Sequence, residues 1–432
     1  RSKLTPINAP ARYAAANAAA VVIDTVTGQR HPIFAEMDAQ AASDSGRSLI
    51  VRPLKNFVEG RHYVVALRSL KDAAGKTLQA PAGFRAVRDG KAAGNSRLKA
   101  RATQLAPVFA TLAKAGIKRR DLYLAWDFSV ASRRNLSERE LSIRDRAFAE
   151  LGDDNLGDLT VTGRSPSFTV TSVEDFPPEK SGPLARRIRG EFTVPCFLDK
   201  PGCPPGARFQ FGPDGLPVRT PGNELKAPFV CQIPRAATGG PAFRKLRPLI
   251  YGHGLLGSRS EMVENVPLAT SAQESGLITC ATDWAGMSSS DLPTLASQVV
   301  PNLSNFSMLT DRVQQGFVNF MFLGRLMLHP DGFSSDSAFR SDNNGTAESV
   351  IDTQRLFYHG NSQGGILGGA LTAVAPDFQR AALGVPGAWA GRVPDTGVGR
   401  WLDGDEVSMA CSLRRCVLGG VCAVGVLSLG WL

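Results

Sequence analysis

The chain has 432 residues, 43% hydrophobic and 20% charged, which suits a globular protein of two or three domains with a large core and excludes a disordered or low-complexity class. Its net charge is +10, but the cations are spread along the chain. No zinc spacing, helix-turn-helix pattern or aromatic RNA-binding signature accompanies them, so a solvated basic surface is expected and a nucleic-acid partner is not. None of the seven cysteines stands in a C-x-x-C pair, so no structural metal and no cofactor are expected.

Residues 1–90 read as β. Runs at 20–24, 33–37, 48–52, 63–67 and 83–87 are short, β-branched and punctuated by Gly, Pro and Asp, which points to a small sandwich. The phrases Arg52-Pro53-Leu54, Glu59-Gly60-Arg61-His62-Tyr63 and Lys71-Asp72-Ala73-Ala74-Gly75 resemble bacterial Ig-like modules of exported proteins. Residues 91–163 form a helical linker subdomain. Leu105, Val108, Phe109 and Leu112 make one apolar helical stripe, residues 122–126 a strand, and Ser137-Glu138-Arg139-Glu140 a capping box before a helix carrying Leu141, Phe148 and Leu151.

From 164 to 410 the alternation of strands and helices predicts an α/β domain with a mostly parallel sheet. Strands are expected at 167–170 and 188–194, the first and antiparallel ones, and at 247–251, 276–282, 356–359 and 380–385, where the sheet stops. Helices are expected at 261–273 and at 311–328, the latter with Phe317, Met321, Gly324 and Leu328 on one face. Cys196, Cys203 and Cys231 lie in a Pro/Gly-rich region where one disulfide would suit an exported protein, whereas Cys280, ending an apolar strand, reads as a buried free thiol. Asp283 and Trp284 either line a pocket mouth or, the preferred reading, tie and pack their own loop. Residues 285–310, with Leu292, Leu295 and Val299 at helical spacing, form a lid or an ordinary loop-helix.

Chemistry enters at Gly360-Asn361-Ser362-Gln363-Gly364, a G-x-S-x-G pattern between an apolar strand and a small-residue helix. A serine forced into so tight a turn needs flanking residues without bulk, which Gly360 and Gly364 provide. About a hundred residues earlier, the strand Pro248–Tyr251 runs into Gly252-His253-Gly254-Leu255-Leu256-Gly257-Ser258. Together the two motifs resemble those of the α/β-hydrolase superfamily, in particular bacterial lipases and esterases whose oxyanion loop reads His-Gly-Leu. The resemblance implies a serine ester hydrolase with Ser362 as nucleophile and the Leu255 and Gln363 amides as oxyanion donors. It also makes Gly254, Gly360 and Gly364 motif glycines, and Asp395, after the sixth strand, the best-placed acid, ahead of Asp403 and Asp405. It further implies a secreted or cell-envelope location and a small-molecule or lipid ester as substrate, with contact at a lipid interface if a lid is present.

One part of that pattern is missing. The superfamily's order is serine, acid, histidine, yet the five histidines are His31, His62, His253, His329 and His359, and none follows Ser362. Weak or absent activity is therefore expected of this chain. The alternative is a non-catalytic surface-binding protein that uses the Ig-like module and keeps the hydrolase domain as scaffold. Residues 411–432 carry three cysteines and a glycine-rich apolar run of 16 residues, short of the ~20 that span a bilayer. An out-of-frame tail is the favoured reading over a membrane anchor, and it would account for the lost histidine.

Overall fold

The computed structural model describes residues 4–38, 43, 47–72, 74–177, 179, 182–237, 243–385 and 408–410. Its contacts divide the chain into two compact units, Arg1–Ser137 and Glu138–Leu432.

The first unit contains strands β1 (Ala20–Asp24), β2 (Ile33–Met37), β3 (Leu49–Pro53) and β4 (His62–Arg68), helices α1 (Ala82–Arg88) and α2 (Ser96–Lys114), and strand β5 (Leu122–Ser129). An antiparallel sheet of order β1-β4-β5 stands beside a separate β2-β3 hairpin. Successive strand residues point to opposite faces, so β1 and β4 supply two cores. Val21, Ile23, Val64 and Ala66 pack under the α2 stripe Leu105, Val108, Phe109 and Leu112. Val22, Tyr63, Val65 and Leu67 pack on the other face with Ile33 and Ala35 of the hairpin.

Two expectations change here. Residues 83–87 are helical, not extended. Phe84 and Val87, three apart, share the helix face that enters the α2 core. The strand expected within a linker, β5, pairs along β4, so the chain divides at 137 rather than at 90 and 163. Helices, not a second sheet, therefore cover one face of this sheet.

The second unit takes in most of α3 (Arg133–Ala149), then β6 (Phe168–Asp175), β7 (Leu184–Pro195), the short hairpin β8 (Gln210–Phe211) and β9 (Pro217–Val218), and β10 (Glu224–Pro234). There follow β11 (Arg247–Gly252), α4 (Ser260–Glu264), α5 (Val266–Ser275), β12 (Leu277–Thr282), the one-turn α6 (Leu292–Thr294) and α7 (Ser307–Leu328). The hairpin β13 (Arg340–Asn343) and β14 (Thr346–Ser349), β15 (Leu356–Asn361), α8 (Gln363–Val374), β16 (Phe378–Gly384) and β17 (Ser408–Ala410) complete it. Helix α3 begins a turn before the expected capping box. Ser132 Oγ accepts the Asn135 N–H at 3.0 Å, and Glu140, expected to reach back to the cap, is buried instead.

Eight strands form one sheet in the order β17-β16-β15-β11-β12-β10-β7-β6. The pairs β16·β15, β15·β11 and β11·β12 are parallel and the other four antiparallel, which corrects the expectation of a mostly parallel sheet. Long crossovers bearing helices α5 and α7 permit the parallel centre, whereas the eight residues between β6 and β7 are too few for a crossover, and those strands pair antiparallel. β17 adds an antiparallel strand where the sheet was expected to stop.

Helix α7 is buried on all sides from Gln315 to Leu328 rather than along one face, so it forms the centre of the core. Its Arg325 is fully buried between Asp377, at 3.0 Å, and Asp153, at 2.8 Å. The helix expected at 261–273 is broken at Asn265, whose side chain caps α5 by accepting the Leu268 N–H at 3.0 Å. Cys280 is not a free thiol. It lies directly opposite Cys231 on β10 and is bonded to it, while Cys196 pairs with Cys203.

Candidate active site

β11 and β15 are neighbouring parallel strands whose register sets Gly252 opposite Gly360. Both strands end at the same edge of the sheet, so the loops that follow them emerge side by side. This is the edge where open α/β sheets place ligands.

Ser362 follows β15 and is the N-cap of α8 with φ 53° and ψ −122°, a conformation unusual for a residue with a Cβ. Two backbone bonds hold it there. Its N–H donates to the Gly384 carbonyl of β16 at 3.1 Å, and its carbonyl accepts the Ile366 N–H at 3.0 Å. Its side chain is exposed. A Cβ on Gly360 would fall 2.4 Å from the Gly364 carbonyl oxygen, and one on Gly364 would fall 2.1 Å from that of Gly252. Gly360 thus lets the turn fold back on itself, and Gly364 lets α8 touch the end of β11. The buried Tyr358 hydroxyl donates to the Gly364 carbonyl at 2.6 Å, and burial pushes its pKa well up, keeping it a donor.

The loop after β11 is held mainly by side chains. The Gly254 N–H donates to Glu261 Oε2 at 2.7 Å. The Gly254 carbonyl accepts the Gly257 N–H at 3.1 Å and bonds His253 Nδ1 at 2.9 Å. His253 Nε2 accepts the Trp284 N–H at 2.8 Å, so the ring proton sits on Nδ1 and the imidazole is neutral. Burial lowers its pKa accordingly. Leu256, at φ 51°, donates its N–H to Gln363 Oε1 at 3.3 Å, and Gln363 Nε2 donates to the Met287 carbonyl at 3.0 Å. The amides on either side of Leu255 are therefore both engaged.

The remaining histidines do other work. His359, within β15, packs its ring 5.7 Å from that of Tyr251, and burial lowers its pKa. His329 accepts the Asp331 N–H and faces the Gly163 carbonyl. His31 and His62 lie in the first unit, against the Lys55 carbonyl and against Ser129 and Asp127. Among the described residues no histidine is hydrogen-bonded to Ser362. Asp395, Asp403, Asp405 and residues 411–432 lie outside the described residues.

Asp283 accepts the Arg259 N–H at 2.7 Å and pairs with its guanidinium, while Trp284 is fully buried and stacks on Phe320 at 3.8 Å. Asp283 thus ties its loop to the one after β11, and Trp284 packs against α7. Within 285–310, residues 289–299 form one helical run that passes from 3₁₀ through α6 into a π turn, and 307–310 already belong to α7. Leu292 is exposed and Val299 buried, so they do not share a face. Asp291 anchors the segment through a buried pair with Arg312 at 2.6 Å. Among the described residues no group of three or more His, Cys, Asp or Glu side chains could hold a metal ion.

Sequence reasoning missed Glu261 and the Gln363 side chain as clamps of this loop. The available signal was a carboxylate seven residues after Gly254, with glycines at 254 and 257 making room for it.

No protein-family model and no curated protein matches the chain. Among solved structures it is similar to acetyl xylan esterase 1 from Thermoanaerobacterium sp., at 15% identity and TM-score 0.29, covering 56% of this chain and 57% of that one. A glucuronoyl esterase from Solibacter usitatus matches at 14% identity and TM-score 0.26, over 51% and 52% of the two chains. An S-formylglutathione hydrolase from Agrobacterium tumefaciens matches at 12% and 0.22, over 49% and 60%. The chain thus spans between a half and three-fifths of the length of these structures.

Proposed function

We propose that the second unit is an α/β-hydrolase-type domain that cleaves carboxylic esters through an acyl-enzyme on Ser362. The Gly252↔Gly360 register carries this reading, because it sets a strained, exposed serine beside a loop of constrained amides. In the proposed reaction Ser362 Oγ attacks the ester carbonyl carbon and the carbonyl oxygen becomes an oxyanion. The Ser362 proton passes to solvent, collapse expels the alkoxide, which takes a proton from water, and hydroxide then attacks the acyl-serine to release the carboxylate and return Ser362. Gln363 supplies one oxyanion donor, since the first amides of a helix have no acceptor within it and lie at its positive end. Leu255 supplies the other. In a trans peptide the N–H points away from the preceding carbonyl. The Gly254 carbonyl is drawn toward His253 and the Gly257 amide, so the Leu255 N–H is turned outward.

Asp395 holds the acid's place in the chain order but has no histidine after Ser362 to orient, and the substrate is a small-molecule or lipid ester. The two disulfides favour an oxidising, exported location. No histidine follows Ser362 in the sequence. A general base contributes about 10²–10⁴-fold, so turnover is expected to fall short of a complete triad by roughly that factor.

A fluorophosphonate probe tests the reading. Ser362 should be phosphonylated slowly, at a rate rising about tenfold per pH unit above neutrality as the free alkoxide fraction grows, because no imidazole titrates in its place. Fast labelling that levels off near pH 7 would show that a base is present. No labelling of Ser362 at any pH would remove the proposal.

A further inference from the structure

We propose that Glu261 is a positioning residue that fixes the aim of the Leu255 amide, an inference that rests on the ester-hydrolase reading. Glu261 lies in the first turn of α4, where its own N–H bonds the Ser258 carbonyl at 3.0 Å. Its carboxylate reaches back across the loop. Oε2 accepts the Gly254 N–H at 2.7 Å and Oε1 accepts the Tyr251 hydroxyl at 2.6 Å. A single side chain therefore joins the end of β11, the loop and the helix that closes it.

Space has been left for this group. A Cβ on Gly254 would sit 3.2 Å from Oε2 and one on Gly257 would sit 3.1 Å from it, closer than most side chains approach. Burial together with Glu261 raises the Tyr251 pKa far above its ordinary value, so the phenol remains a donor at any working pH. With Glu261 holding the peptide before Gly254 and Gln363 holding the Leu256 amide, the Leu255 N–H sits between two clamped peptide planes.

A carboxylate so close to a developing oxyanion would by charge alone oppose the reaction. Its presence is accounted for by the hydrogen bond it accepts, and this separates positioning from electrostatics. Replacing the charge while keeping the acceptor should preserve the rate. Removing the acceptor should lose it.

The test uses the full chain, with two readouts on each variant: the phosphonylation rate of Ser362 by a fluorophosphonate at alkaline pH, and backbone hydrogen exchange across residues 252–258. Glu261→Ala should label about 10–100-fold more slowly, because misdirecting one oxyanion donor forfeits part of the ~10²–10³-fold such a donor supplies. Its loop amides should exchange at least tenfold faster while those of β11 and β15 do not. Glu261→Gln should restore most of the rate. Wild-type labelling and exchange in Glu261→Ala would overturn the proposal, and so would Glu261→Gln as impaired as Glu261→Ala. If Glu261→Ala does not fold, Tyr251→Phe releases one carboxylate oxygen and should loosen the loop and slow labelling by a smaller factor. No change in either readout overturns the proposal. If wild-type Ser362 takes no label at all, the ester-hydrolase reading fails. Exchange alone then decides whether Glu261 clamps the loop, and unchanged exchange in Glu261→Ala overturns that as well.

Discussion

The two halves of the candidate site are built by different means. The turn at Ser362 is held by the backbone, through the bonds to Gly384 and Ile366 and through glycines that let main chain meet main chain. The loop at Leu255 is held largely by side chains, those of Glu261 and Gln363 from neighbouring helices and that of His253 from the loop itself. A backbone-held turn tolerates no added atoms but is indifferent to pH. A side-chain-held loop tolerates local bulk better and responds to pH and to distant substitutions.

Gly364→Ala should have the largest effect. The added carbon would lie 2.1 Å from the Gly252 carbonyl oxygen, with backbone on both sides and no flexible side chain to yield. We expect destabilisation of about 3 kcal/mol or more in a denaturant titration, together with loss of Ser362 labelling. A stable Gly364→Ala protein that labels normally would show that α8 does not bear on β11 as described.

His253→Ala comes next, because it leaves the buried Trp284 N–H without an acceptor, at a cost of about 1–3 kcal/mol. This change also carries a pH signature. Burial lowers the folded-state pKa of His253 below its ordinary 6.5, so the unfolded chain binds the proton more readily. The stability of the neutral ring is therefore fully present above about pH 6.5 and is lost as pH falls toward the folded value. His359 contributes with the same sign. Melting temperatures compared at pH 7.5 and 5.5 should fall less in His253→Ala than in the wild type. An identical fall in both would remove His253 from the account.

These differences explain what could be read in advance. Local rules made the serine turn visible, because Gly360 and Gly364 flank it in sequence. The stripe Leu105, Val108, Phe109 and Leu112 was equally visible, because a helix brings those positions together whatever surrounds it. Residues 83–87 misled because Phe84 and Val87 fit either a short strand or a helix face, and only packing under α2 decided for the helix. Cys280 misled because its partner is 49 residues away and becomes adjacent only when β10 and β12 pair. Glu261 escaped notice because its one signal, glycines at 254 and 257 that leave room for a carboxylate, has meaning only once the chain turns back on itself. Long-range pairing, rather than local preference, was the illegible part.

The smallest expected effect belongs to Asp395→Asn. An acid acts on a serine only through the imidazole it orients, and no histidine follows Ser362. Labelling should therefore change by less than about threefold, within the scatter expected of a substitution outside the reacting groups. A hundredfold loss would mean that a base does couple Asp395 to Ser362.

The central claim, that the bend after β15 presents a nucleophile to two main-chain donors, is tested most directly by intact-mass analysis and peptide mapping after prolonged incubation with a fluorophosphonate at alkaline pH. The account predicts one adduct per chain, mapped to Ser362 and absent from Ser362→Ala. An adduct that persists in Ser362→Ala, or a wild-type chain that stays unmodified while its fold is intact, would contradict it.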